Sequence, residues 1–330
     1  MWYIGFHGGS SGVNNIQVYH DSGKPHSNPN LLPTDGSNPL LSELRAFYIV
    51  GDLMYVVNGY KKYSQVLTYK SNGQGNYVFN QVFASRDTIN AIFHPYDITF
   101  DERGNCYISS QNSNVVTGVK GPNQPMDVAP FLLNNFPTSD IFLPGTRVAS
   151  SHGELPKNQS PYPPNVATPQ GLDVNFTNSS DTKIAHSVRG ILYYPDYLFV
   201  SDEPANSVKI YFIQSGELYG EIKGDNLVSP VQLLLNGEIL YIGSSGNASV
   251  VSIDLSNGVS KGVNPPTTFI DGHAKHVSGI AFDADGNFYI AERKAQKIKM
   301  FPADGRGKGE TFIKDLPDNP EFIMYVPKES

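Results

Sequence analysis

A single cysteine, Cys106, in 330 residues rules out an internal disulfide framework and cysteine-based zinc ribbons. It falls in a strand pattern, which suits a buried thiol better than a nucleophile. No apolar run approaches the ~20 residues that a membrane-spanning helix needs. Charged residues are scarce at 17%, the net charge is −7 and no basic cluster occurs, so neither nucleic acid nor a membrane is expected as a partner. Long windows of good helix formers at helical period are missing too. The chain has no GxSxG elbow, P-loop or HExxH, and its one GGSSG (Gly8–Gly12) lacks the strand–helix context of a phosphate loop. The opening MWYIGFHGG has neither a basic n-region nor an apolar h-region. No signal peptide is visible there. A removed leader, and with it a secreted or periplasmic location, stays open, and the chain is expected to be a soluble monomer.

What is plentiful is glycine (31), proline (24), tyrosine (19) and phenylalanine (18). Aromatics suit pleated, half-buried surfaces, and glycine and proline serve frequent turns, so one large all-β domain over 1–330 is expected. His276–Gly305 displays the repeating unit. Gly279–Phe282 is apolar, Asp283–Asn287 forms a turn, Phe288–Ala291 is a second apolar run, Glu292–Gln296 is a polar loop, and Lys297–Phe301 alternates. Two markers recur with this unit. The second strand carries an aromatic at Tyr3, Tyr55, Tyr107, Phe199, Tyr241 and Tyr289. The turn after the third carries a glycine at Gly23, Gly73, Gly121, Gly216, Gly258 and Gly305, spaced by 50, 48, 95, 42 and 47 positions.

A four-stranded unit of that period, repeated about six times, specifies a six-bladed β-propeller. The first unit lacks an inner strand, while Asn319–Val326 supplies one too many. The C-terminal strand should therefore complete the first blade and close the ring, which removes free sheet edges. The 95-residue gap holds a proline-rich stretch, 134–187. It is read as an insertion over the channel mouth, with a degenerate seventh blade as the alternative.

In a propeller, the loops entering inner strands and those leaving second strands share one face, around the channel mouth. His94, His186 and His276 each precede an inner strand, and His7 ends a second strand on the same face. Converging imidazoles can build a metal site with an open position. They can equally be hydrogen-bonded residues of a polar channel. Arg189 and Arg293 offer anion binding or channel salt bridges. Glu292 could ligate a cation or act as a general base. Asp202 could serve a cation or bond the backbone of its own turn.

The units PYDITFDERGNCYISSQNSNVV, RGILYYPDYLFVSDEPANSVKIYF and SGIAFDADGNFYIAERKAQKIKMF resemble NHL repeats, most clearly over 94–120 and 188–305. The resemblance implies a propeller of a group that includes binding modules, the peptidylglycine amidating lyase, the streptogramin B lyase and gluconolactonase/paraoxonase-like hydrolases. By similarity to the amidating lyase, His94, His186 and His276 would hold zinc. By similarity to the lactonase-like hydrolases, Asn58, Asn112, Asp202 and Glu292 would surround calcium. The expectation is a metal-dependent lyase or hydrolase acting on a small molecule, with His7 or Glu292 as base and Arg189 or Arg293 holding a substrate anion. The alternatives are a binding module on the same face, for a peptide, glycan or small ligand, and a purely scaffolding propeller.

Overall fold

The computed structural model describes residues 1–9, 12–60, 62–73, 75–87, 92–112, 114–119, 141–143, 187–213, 216, 218–272 and 274–327. They form six antiparallel four-stranded sheets, the blades of a β-propeller. Blade 1 joins the C-terminal strand Pro320–Tyr325 to Trp2–Phe6, Ile16–Tyr19 and Pro25–Asn30. Blade 2 is Leu44–Val50, Leu53–Asn58, Gln65–Ser71 and Tyr77–Ser85. Blade 3 is Pro95–Phe100, Cys106–Ser110, Val115–Val119 and Ile141–Leu143. Blade 4 is Val188–Tyr194, Tyr197–Asp202, Ser207–Phe212 and Leu218–Ile222, extended by a parallel fifth strand, Gly262–Asn264. Blade 5 is Pro230–Asn236, Ile239–Ser244, Ser249–Asp254 and Thr267–Ile270. Blade 6 is Val277–Phe282, Phe288–Glu292, Lys297–Phe301 and Glu310–Ile313. No helix among the described residues is long and apolar enough to cross a membrane.

Both sequence markers have a structural cause. The second-strand aromatics are all buried, between 0% and 7% exposed, and pack between sheets. The described turn glycines, Gly23, Gly73, Gly216, Gly258 and Gly305, all adopt φ between 70° and 86°, where a side chain is strained. In blades 3 and 6 the hairpin between the first two strands repeats one device. Asp101 and Asp283 accept the backbone N–H groups of Asn105 and Asn287, each at 2.8 Å. They also accept the hydroxyls of Tyr107 (3.2 Å) and Tyr289 (2.9 Å), which ties the turn to the core aromatic.

Blades meet along their inner strands, and there the third residue matters. Asp97 of blade 3 accepts the Ile191 N–H of blade 4 at 3.0 Å, beside Gly190. Gln232 of blade 5 accepts the Ile280 N–H of blade 6 at 2.6 Å, beside Gly279. A Cβ on Gly190 would stand 2.5 Å from the Val231 carbonyl oxygen, so only glycine lets blades 4 and 5 approach. Burial pushes the Asp97 carboxyl up to about 7, against the N–H bonds from Ile191 and Ile98.

Two boundaries differ from the sequence reading. Glu292 ends the second strand of blade 6 rather than opening the loop, and a 3₁₀ turn, Arg293–Ala295, follows it. Ile141–Leu143, placed by sequence inside the insertion, pairs with Val115–Val119 as the outer strand of blade 3. The rest of 134–187, apart from Ser187, lies outside the described residues, and so does its expected place over the channel mouth.

Candidate functional site at the channel mouth

One backbone hydrogen bond recurs in every blade and defines the mouth. The residue after each second strand donates its N–H to the carbonyl of the residue that enters the inner strand. The six bonds are Gly59 to Glu43 (2.9 Å), Gln111 to His94 (3.1 Å), Glu203 to Ser187 (3.2 Å), Ser245 to Ser229 (3.0 Å), Arg293 to His276 (3.1 Å) and His7 to Asn319 (2.9 Å). Four of the entering residues are left-handed: Glu43, His94, Ser229 and His276 have φ of 56°, 57°, 51° and 52°. Histidine is among the residues enriched in that conformation. The placement of His94 and His276 at inner-strand entries therefore has a backbone cause.

Just inside the mouth, the pairing of inner and second strands is irregular in all six blades. Such bulges re-aim a side chain. Here they turn the second residue of each inner strand toward the axis. Arg45, Tyr96, Arg189, Val231, Ser278 and Glu321 all line a cavity of about 450 Å³. Its rim adds His7, Glu43, His94, Gln111, Glu203, Ser245, His276, Val277, Arg293 and Lys294. That is a volume for a small molecule.

A belt of charge runs round most of the wall. Glu321, only 1% exposed, bonds Arg45 Nη1 at 2.6 Å and Arg293 Nε at 3.1 Å. Arg45 Nη2 reaches Glu43 at 3.3 Å. Arg189 pairs with Glu203 through one Nη and with Gln111 through the other. The ring of Tyr96 lies between the two guanidiniums, with centroid distances of 5.6 Å to Arg45 and 5.2 Å to Arg189, within cation–π range.

His94 is locked into this belt. Its Nε2 lies 2.9 Å from Glu43 Oε2, and its Nδ1 lies 2.6 Å from the Gln111 amide nitrogen. Burial and the charges of Arg45 and Arg189 push its imidazole down to about 4, against the pull of Glu43. The contact is thus between a neutral ring and a carboxylate, rather than an ion pair. Glu43 is held down to about 2; burial would raise it, but the His94 bond and the Arg45 charge win.

His7 differs. Burial and the guanidiniums of Arg45 and Arg293 lower its imidazole below the usual range, partly offset by Glu321 and Glu43. Among the described residues its ring has no hydrogen-bond or ionic partner. Its imidazole is therefore neutral near pH 7 and lines the cavity. His276 sits exposed on the lip, lowered by partial burial and by Lys294 and Arg293.

Of the residues expected from sequence, His7, His94, His276, Arg189 and Arg293 line the cavity. His186 lies outside the described residues. Asn58, Asn112, Asp202 and Glu292 do not line it and are not brought together. Asn58 accepts the Ser42 N–H (2.9 Å), Asp202 that of Ser187 (3.1 Å) and Glu292 that of Lys275 (2.7 Å). Each side chain braces the loop that enters the neighbouring inner strand. Glu292, 1% exposed, also holds Lys297 at 3.0 Å, so it is not placed to act as a base in the cavity. The Asn112 amide lies 3.1 Å from His94 Nδ1, behind the wall.

Among the described residues no group of three His, Cys, Asp or Glu side chains could hold a metal ion. Both ring nitrogens of His94 are engaged within the wall. The described donors do not fit a resident zinc or calcium ion, and His186, the third expected zinc ligand, lies outside them.

No protein-family profile matches this chain, and no curated protein matches it. Solved structures do. A protein from Lactobacillus plantarum superposes with a TM-score of 0.58 at 11% identity, over 99% of each chain. A Bacteroides fragilis protein provisionally named a 6-phosphogluconolactonase gives 0.56 at 13% identity, over 99% of this chain and 97% of its own. An inactive variant of virginiamycin B lyase from Staphylococcus aureus, bound to quinupristin, gives 0.47 at 12% identity, over 84% of this chain and 73% of its own. Likeness at such identities shows the propeller fold alone. The chain is a six-bladed, ring-closed β-propeller with a polar cavity at its channel mouth.

Proposed function

We propose that the protein is an enzyme, a lyase or hydrolase, acting on a small molecule in the channel-mouth cavity with His7 as the proton-accepting group. One observation carries this reading. His7 is a neutral imidazole with no partner among the described residues, set in a cavity whose carboxylates and inner-strand arginines are already paired. A base kept neutral near pH 7 by burial and by neighbouring guanidiniums is poised to take a proton. In hydrolysis, His7 removes a proton from water as the water oxygen bonds the substrate carbonyl carbon. It then returns that proton to the leaving oxygen as the carbon–oxygen bond breaks. In elimination, it removes a proton from the carbon next to the one bearing the leaving oxygen; the double bond forms as that carbon–oxygen bond breaks, and His7 returns the proton to the departing oxygen. The Arg293 guanidinium, whose charge His7 feels, stabilises the negative charge that develops.

A second reading has its own support. Arg45 and Arg189 already have carboxylate partners, so the belt is satisfied without a reacting substrate. That suits a binding module. The two readings separate in pH-stat assays of the full chain on a panel of lactones and esters, run beside His7→Asn. The enzyme reading expects turnover that falls about 10²–10⁴-fold in His7→Asn, with the melting temperature unchanged. Turnover unaffected by the substitution would contradict His7 as base. No turnover on any compound, with ligand binding retained, would favour the binding module.

A further inference from the structure

The cavity wall is asymmetric in charge. Its cations are Arg45, Arg189, Arg293 and Lys294, and its carboxylates are Glu43, Glu203 and Glu321. With the histidines neutral, four cations against three carboxylates leave one positive charge. That excess has a place. Glu43 comes from blade 2, Glu203 from blade 4 and Glu321 from blade 1, so blades 5 and 6 supply no carboxylate to the lining. The nearest acidic residue of blade 6, Glu292, is turned away to Lys275 N and Lys297. Blade 6 instead supplies Arg293 and Lys294. Arg293 spends only Nε on Glu321, and among the described residues its two Nη groups and Lys294 Nζ have no acceptor. Beside them the wall turns apolar, with Val231 and Val277.

We propose that the ligand is a small monocarboxylate with an apolar body, its carboxylate held by Arg293 and Lys294 and its body against Val231 and Val277. The inference rests on the cavity being the substrate site. A single excess positive charge is neutralised by one carboxylate, whereas a phosphate monoester dianion would leave the wall negative. A guanidinium with two open Nη groups matches the paired oxygens of a carboxylate.

Calorimetric titration of the full chain at low ionic strength, with 4-phenylbutyrate, its amide 4-phenylbutyramide, and phenyl phosphate, tests this. The acid is expected to bind about ten-fold more tightly than the amide, a difference of ~1.4 kcal/mol, and more tightly than the phosphate ester. Arg293→Gln with Lys294→Gln should remove that advantage while leaving amide binding unchanged. Lys294→Gln alone, at an exposed position, should reduce it in a protein that melts normally. Equal binding of acid and amide, tighter binding of the phosphate, or an advantage that survives the double substitution overturns the proposal. Binding of the amide without the acid sinks this inference alone. Binding of none of the three sinks the cavity as a substrate site as well.

Discussion

Glu321→Ala is expected to destabilise the protein by about 3–5 kcal/mol. Among the described residues Glu321 is the only carboxylate that touches Arg45 Nη1 and Arg293 Nε, and its side chain is 1% exposed. Arg45 is itself 8% exposed and would keep only the longer carboxylate contact, to Glu43 at 3.3 Å. Removing one member of a buried pair leaves an uncompensated charge, and that cost exceeds whatever the pair contributes over an apolar substitute. An exposed pair makes the contrast. Asp52 and Lys70, 60% and 58% exposed at 3.3 Å, should give less than ~1 kcal/mol on Asp52→Ala. Urea unfolding followed by fluorescence of the only tryptophan, Trp2, measures both. Glu321→Gln, which keeps an acceptor, should fall between them. A loss under ~1 kcal/mol for Glu321→Ala would mean that Arg45 is not held as described.

Removal of residues 319–330 is expected to abolish cooperative folding. Pro320–Tyr325 forms the inner strand of blade 1, and its Ile323 pairs with Ile4. Without it, Trp2–Phe6 becomes an open edge on the channel and the ring is unclosed. The closure is also well packed. Trp2 of blade 1 contacts Tyr289 of blade 6 at 4.1 Å and Tyr325 of the closing strand at 5.1 Å, while Ile4 and Ile323 are at most 2% exposed. Losing several such side chains at ~2–5 kcal/mol each exceeds the 5–15 kcal/mol that holds a typical domain. A synthetic peptide covering 318–327, added in trans, should restore the Trp2 signal. A truncated protein that melts as the full chain does would contradict ring closure by this strand.

The blades were legible because their determinants are local. A buried aromatic at Tyr55 or Tyr289 and a left-handed glycine at Gly73 or Gly305 are each set by their own strand or turn. Closure was legible because Asn319–Val326 repeats the inner-strand pattern. The wall of the cavity was less so, and the reason is parity. Loops leaving second strands carry pairs such as Asp202-Glu203 and Glu292-Arg293. One member faces the channel and the other braces a loop, and the bulges decide which. Glu203 and Arg293 face the channel; Asp202 and Glu292 do not. On inner strands the same irregularity brings Arg45 and Glu321 to the axis. Their contact spans 276 positions in sequence, so no local pattern announces it. Nor could a local pattern show that His94 is held by Glu43.

The central claim, a ligand site at the channel mouth built around His7, is tested most directly by histidine-ring NMR titration of the full chain with and without 4-phenylbutyrate. In the free protein His7 should titrate below the usual value of about 6.5, because burial and two guanidiniums disfavour its charged form. A carboxylate bound beside Arg293 adds negative charge nearby, so the His7 pKa should rise. The ring signals of His20 and His26, whose rings lie 5.3 Å apart in the outer hairpin of blade 1, should be unaffected by adding the ligand. A His7 pKa that bound ligand leaves unchanged would contradict a carboxylate held beside Arg293.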